Sequence, residues 1–188
     1  MAVFDVTTYR PVSGNKYFVD CNVLMYEFYS NGAYASNLVS KYDVFFTKAI
    51  EEHATIYVTE MLVSEFVNTY VQTEFHRLAH LHGWPHTKDY FKHIFKTTSE
   101  YADILKEIEI ILNKQLFPIT EKKNVSFEDI KLMGIFDNPA TFDFNDRYYA
   151  RSFPGEDVYF VTNDADFNNI TGINIITANQ KMLDGVCE

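Results

Sequence analysis

Four acidic residues, Asp20, Glu65, Asp146 and Asp164, each stand near the end of an expected strand or the start of an expected helix. Asp20 ends the apolar run Tyr17-Phe18-Val19, and Asp164 follows Val158-Tyr159-Phe160-Val161-Thr162. Glu65 falls in the first turns of the helix after Thr55-Ile56-Tyr57-Val58-Thr59, and Asp146 in the opening turn of the helix before the Asp164 strand. If these strands run parallel, their carboxyl ends share one edge, where open α/β sheets bind ligands. Carboxylates gathered there repel and raise one another's pKa values, a conflict that a divalent cation removes. Oxygen-only donors favour Mg²⁺ or Mn²⁺, and no Cys/His set with zinc spacing accompanies them. One or two such ions can activate a water and stabilise the leaving oxygen during in-line attack on a phosphodiester. The competing reading is a scatter of surface acids and helix caps, a role open to Asp20 itself.

The elements that must hold these residues are legible in the pattern of apolar side chains. Tyr17-Phe18-Val19 lacks polar alternation, as expected of a strand buried on both faces of a parallel sheet. Asn22 can cap a short helix over Val23–Tyr29, which Asn31-Gly32 breaks. Helical spacing predicts a helix over about 34–52 and another from Met61 to about His80. Strand and helix alternating in this way make the βα repeat of a parallel sheet. Further helices are expected over 87–97 and 99–116; Pro118 closes the second, whose stripe Ile104, Leu105, Ile108, Ile111 and Leu112 has a packing role. Lys122-Lys123-Asn124 reads as a turn, Phe127–Phe136 as a helix ended by Asp137-Asn138-Pro139, and Asn174–Thr177 as a last strand before a short helix over Asn179–Leu183. Residues 1–15 read as an irregular lead-in or a short edge strand, and the tail from Lys181 to Glu188 as peripheral. The expected class is therefore α/β, with a mostly parallel central sheet flanked by helices and an enlarged helical middle.

Composition narrows the classes. A chain of 188 residues fits one domain with an elaboration, and at 47% hydrophobic it has ample core material. Seventeen Phe and thirteen Tyr suit a Phe-rich core, with aromatics to spare for a groove or an interface. Cys21 and Cys187 are far apart and without metal spacing, which suits a reducing compartment. No signal-peptide pattern opens the chain, and no stretch reaches the roughly 18–20 apolar residues that cross a membrane. The expected location is the cytoplasm. A formal charge of −10 opposes a broad polyanion-binding surface but not a metal-loaded phosphodiesterase.

Three stretches resemble the PIN domain, a compact α/β metal-dependent ribonuclease family that includes the toxins of bacterial toxin–antitoxin pairs. They are Phe18-Val19-Asp20-Cys21-Asn22-Val23-Leu24, then Val63-Ser64-Glu65-Phe66-Val67-Asn68, then Asn145-Asp146 followed by Phe160-Val161-Thr162-Asn163-Asp164-Ala165-Asp166-Phe167. The ordered set spans both ends of the chain, while residues 74–135 match weakly and form the elaboration of a single PIN-like domain. The resemblance implies that Asp20, Glu65, Asp146 and Asp164 are the catalytic, metal-holding quartet, with Asn22 and Thr162 as polar supports. Asp166 would be a second-sphere acid or an outer metal ligand. It further implies RNA cleavage with Mg²⁺ or Mn²⁺ to 5′-phosphate and 3′-hydroxyl ends, an antitoxin-like protein partner, and a homodimer for which the apolar face of 99–116 is a candidate surface. Family members most often carry a small residue such as Thr at the Cys21 position. Asp143, one turn before Asp146, is either a helix cap or a further support.

Other residues invite weaker readings. Five of the six histidines lie between His76 and His93, but no third rigid ligand completes a zinc set around His76 and His80 or around His82 and His86. Lys88, Lys92 and Lys96 fall at i,i+4 spacing and are candidate RNA contacts, with Trp84 and Tyr90 able to stack on bases. Arg147 and Arg151 either hold phosphate beside the acids or form ion pairs inside the fold. Beside the ribonuclease stand two other classes. One is a catalytically weak or inactive PIN-like module binding RNA or protein. The other is a small-phosphate-ester hydrolase, which lacks the second aspartate two residues after Asp20.

Overall fold

The computed structural model describes residues 2–126, 128, 130, 135–136 and 143–185. The expected helix Phe127–Phe136 falls largely outside the described residues, and the turn Asp137-Asn138-Pro139 and Cys187 fall wholly outside them. In chain order the elements are β1 (Ala2–Asp5), β2 (Lys16–Val19), α1 (Cys21–Phe28), α2 (Ser36–Glu51), β3 (Thr55–Val58), α3 (Glu60–His82), α4 (Lys88–His93), α5 (Ser99–Ile110), β4 (Glu121–Lys122), α6 (Phe144–Tyr149), β5 (Val158–Val161), β6 (Asn174–Thr177) and α7 (Gln180–Leu183). The six strands form one sheet in the order β1-β6-β5-β2-β3-β4, with every pairing parallel. The α/β class with a parallel sheet is thus the observed one, and the lead-in supplies an edge strand. Among the described residues no helix is long and apolar enough to cross a membrane.

The chain divides into two compact units, one of Met1–Glu60 with Thr120–Glu188 and one of Met61–Ile119. The first unit contains the whole sheet. Along β2, Tyr17, Phe18 and Val19 are fully buried, and their alternation sends successive rings to opposite faces. Tyr17 meets Phe45 of α2 edge-on at 5.2 Å, while Phe18 meets Tyr149 of α6 at 4.8 Å. Helices therefore cover both faces of β2, which is why the strand shows no polar positions. Register continues the two faces across the sheet, with Tyr17 opposite Tyr159 and Phe18 opposite Phe160 on β5.

Topology fixes where a ligand belongs. From β2 the chain steps outward through β3 to β4, whereas β5 and β6 step the other way. Neighbouring β2 and β5 mark the reversal, and open parallel sheets bind ligands beyond the carboxyl ends of such a pair. Three local expectations need correction. Asp20, not Asn22, caps α1: its carboxylate accepts from Cys21 N, so the helix starts two residues earlier than Val23. The expected turn at Lys122 contains a strand, because β4 pairs with Tyr57 and Val58; two exposed charged residues carry no alternation to reveal it. The tail beyond Lys181 is not wholly peripheral, since Met182 is buried and its sulfur accepts from the Thr177 hydroxyl.

The second unit is helical. Phe75 of α3 packs against Phe91 of α4 and Phe95 at 5.1 and 5.0 Å, and the Arg77 guanidinium grips the buried Glu74 carboxylate through two bonds of 2.9 and 2.7 Å. After α5 the chain makes a π-helical stretch, Ile111–Leu116, before Pro118. Ile104, Ile108 and Ile111 are buried, so most of the stripe offered as a dimer face is already covered; Leu105 and Ile110 stay exposed. Of the histidines, the structure pairs His76 with His86, their Nδ1 atoms 3.3 Å apart.

Two ionisable clusters hold the first unit. Lys16 and Lys123 both donate to the Glu156 carboxylate, as does the Tyr57 hydroxyl, and these bonds push Glu156 down to about 2. Its stabilising contribution is present above the ordinary value of 4.5 and is lost as pH falls from 4.5 towards 2. Glu156→Gln should lower neutral-pH stability by about 1 kcal/mol, the scale of partly exposed pairs. It should also flatten the acid limb of a plot of Tm against pH. Between α1 and α2 the reverse holds. Burial, then the charge of and hydrogen bond with Asp43, push Glu27 up to about 7. This folded carboxyl takes up its proton more readily than an unfolded one, so its contribution is complete below 4.5 and is lost as pH rises to 7. Glu27→Gln should therefore raise Tm at pH 8 and leave it nearly unchanged at pH 4, as read by calorimetry.

Candidate metal centre

The carboxyl ends of β2, β5 and β6 gather a polar network. Asp20, 5% exposed, receives Cys21 N on Oδ1 at 2.7 Å. On Oδ2 it receives Asn22 Nδ2 at 2.6 Å and Thr162 Oγ1 at 2.7 Å. The same Thr162 oxygen accepts from Asp164 N at 3.0 Å. One hydroxyl at the end of β5 therefore joins Asp20, at the end of β2, to Asp164. The supporting roles expected for Asn22 and Thr162 correspond to these contacts.

Asn163 is fixed from several sides. Its N–H donates to Asn22 Oδ1 at 3.2 Å, and its carbonyl accepts from Asn179 Nδ2 at 3.0 Å. Tyr42, fully buried on α2, donates to Thr162 O and Asn163 Oδ1, both at 3.1 Å, and accepts from Ala178 N at 3.0 Å. Burial raises the Tyr42 phenol far above its ordinary value, which keeps it a neutral donor. Tyr42, Asn163 and Asn179 were not legible as site residues. Asn163 and Asn179 sit at strand ends, a usable signal, whereas Tyr42 is one aromatic among many in a helix.

Beside this network, one carboxylate oxygen each from Asp146, Asp164 and Asp166 lies within 4.8 Å of the other two. Asp146 comes from the first turns of α6, whose N-cap is Asp143; the Asp143 carboxylate accepts from Asn145 N and Asp146 N at 2.8 and 3.3 Å. Asp164 in turn caps the short 3₁₀ turn Ala165–Asn169, accepting from Asp166 N at 3.0 Å. Both caps aim acids by backbone geometry rather than by side-chain pairing. Burial, then the charges of Asp164 and Asp143, raise Asp166 above its ordinary value. Three converging carboxylates with no nitrogen or sulfur donor among them suit a hard, oxygen-seeking cation.

The set differs from the expected quartet. Asp166, given only a supporting part, is one of the three. Asp20 lies outside them because its oxygens serve the α1 cap, Asn22 and Thr162. Glu65 lies on α3 in the second unit, and the three-carboxylate group is formed without it. Arg147 is buried, and its Nη1 donates to Ile135 O at 2.9 Å. Arg151 is half-buried and donates to Arg147 O. Lys88 and Lys92 are exposed on α4, but the helix ends at His93 before Lys96, whose ammonium sits over the Phe91 ring at 5.2 Å. The three lysines thus form no continuous helical stripe.

Thr162→Val keeps the β-branched shape but removes the donor to Asp20 and the acceptor for Asp164 N. It should cost about 1–3 kcal/mol, the scale for a buried polar group left unsatisfied, measured by urea denaturation. Thr162→Ser should recover most of that loss. Comparison with protein-family models gives no match, and comparisons with curated proteins and with solved structures give no significant one, so the reading of this centre rests on its geometry.

Proposed function

We propose that this protein is a metal-dependent endoribonuclease of PIN-like type, hydrolysing RNA to 5′-phosphate and 3′-hydroxyl ends. The observation that carries the reading is the convergence of Asp146, Asp164 and Asp166 beside Asp20 at the carboxyl edge of the parallel sheet. Its support is twofold. The place is the topological reversal between β2 and β5, where this sheet class binds ligands. The chemistry is an acid cluster that would repel without a counter-charge.

Asp146, Asp164 and Asp166 would hold the ion, and Mg²⁺ or Mn²⁺ bound there would supply an activated water and positive charge for the phosphodiester. Thr162 and Asn22 orient Asp20 and keep its charge at the edge of the group. Asp143 and the Asp164 cap hold the acid-bearing turns, so the carboxylates converge without a flexible search. Glu65 belongs to the same sequence resemblance, but the proposal stands on the acids of the first unit. Lys88 and Lys92 remain candidate RNA contacts of the second unit. With a net charge of −10, the chain's complementary protein partner is basic, as an antitoxin-like inhibitor would be. The proposed location is a reducing cytoplasm, which two cysteines far apart in sequence would suit. A second copy of the chain is the other partner proposed.

The test is cleavage of labelled single-stranded RNA by clean protein in Mn²⁺, with product ends mapped. Asp164→Asn should lower the rate by about a hundredfold or more, and chelation should abolish it. Cleavage that survives both would overturn the proposal.

A further inference from the structure

One hydroxyl at this edge accepts a hydrogen bond and gives its own proton to no acceptor among the described residues. Tyr26 lies on α1, one and a half turns beyond Asp20. Its ring packs edge-on against Tyr34 at 4.9 Å and tilts against Tyr42 at 5.8 Å, leaving the side chain half-buried. Its oxygen accepts from Asn163 Nδ2 at 3.4 Å.

The direction of that bond follows from the chain of bonds behind it. Ala178 N–H donates to the Tyr42 oxygen, the Tyr42 proton is shared between Thr162 O and Asn163 Oδ1, and Asn163 Nδ2, an amide nitrogen that can only donate, bonds to the Tyr26 oxygen. Each hydroxyl has a single proton to give. With Asn163 donating, the Tyr26 proton points away from the network. Burial raises the phenol above its ordinary value, with the charges of Asp20 and Asp164 adding to the effect, so Tyr26 stays a neutral donor next to carboxylates. Those carboxylates make the edge hostile to an approaching phosphodiester, and a neutral O–H is a group that can meet its anionic oxygen without adding charge.

We propose that the Tyr26 hydroxyl donates a hydrogen bond to a phosphate oxygen of RNA held at the acidic edge, making Tyr26 a substrate-binding residue. This rests on the ribonuclease reading. Asn163 and Tyr42 are its positioning residues, acting through the hydrogen-bond chain and not on RNA.

The test compares wild type, Tyr26→Phe and Tyr34→Phe by single-turnover cleavage of a labelled oligoribonucleotide over a range of enzyme concentrations in Mn²⁺. Binding of the same RNA by fluorescence anisotropy in Ca²⁺ gives a readout independent of cleavage. Tyr26→Phe keeps the ring contacts, and an unchanged Tm verifies its fold. The expected result is about a tenfold rise in half-saturating enzyme concentration and in the anisotropy Kd, the scale of one lost bond to a charged group. The maximal rate should change little, and Tyr34→Phe should behave as wild type. Unchanged saturation and Kd in Tyr26→Phe, with wild type cleaving, would mean that the proton meets water and not RNA; the inference then fails and the ribonuclease reading stands. A wild type that neither binds nor cleaves RNA sinks both.

Discussion

The bond from Thr162 Oγ1 to Asp20 Oδ2 closes the gap between two neighbouring strand ends. Parallel pairing brings the ends of β2 and β5 side by side but leaves their following residues free to diverge into different loops. Thr162 prevents that divergence by donating to one acid and receiving the backbone of the next. The bond is buried, where an unmet carboxylate is costly, so Asp20 and its partners constrain one another strongly. The direction of α1, the entry to the 3₁₀ turn after β5 and the placement of Asn163 all follow from this junction.

A second principle shapes the edge. Asp20 and Asp164 accept from backbone N–H groups, and Asp20 also from neutral side chains, while Lys16 and Lys123 form ion pairs with Glu156. A lysine placed among Asp146, Asp164 and Asp166 would relieve their repulsion permanently and compete with a cation. Caps and hydroxyls orient the carboxylates while leaving their electrostatic demand for positive charge in place.

Much of this was legible because periodicity and strand ends carry it. Tyr17-Phe18-Val19 announced a strand covered on both faces, and the acids and Thr162 were visible as residues at strand termini. What was hidden depends on geometry that spacing does not encode. Asp166 joins Asp164 because a 3₁₀ turn folds the chain back within two residues, whereas a linear reading set it apart as secondary. For Arg147 both a phosphate contact and an ion pair inside the fold were open, and spacing does not encode the hydrogen bond that a carbonyl twelve residues earlier accepts from it. Tyr42 and Tyr26 matter through which atom donates to which, a property that no composition or period reports. The compact helical unit Met61–Ile119 begins inside α3, a boundary that helical spacing alone does not mark.

The two-residue strand β4 has a consequence of a different kind. It ends the sheet on Glu121 and Lys122, both exposed and oppositely charged. A long apolar strand in that position would present a row of unmet backbone groups to any extended chain. Here an incoming strand finds room for little pairing and must lie against two hydrated charges. The sheet can therefore be strongly apolar within, as β2 and β5 require, and still offer little at its β4 edge for the addition of further chains.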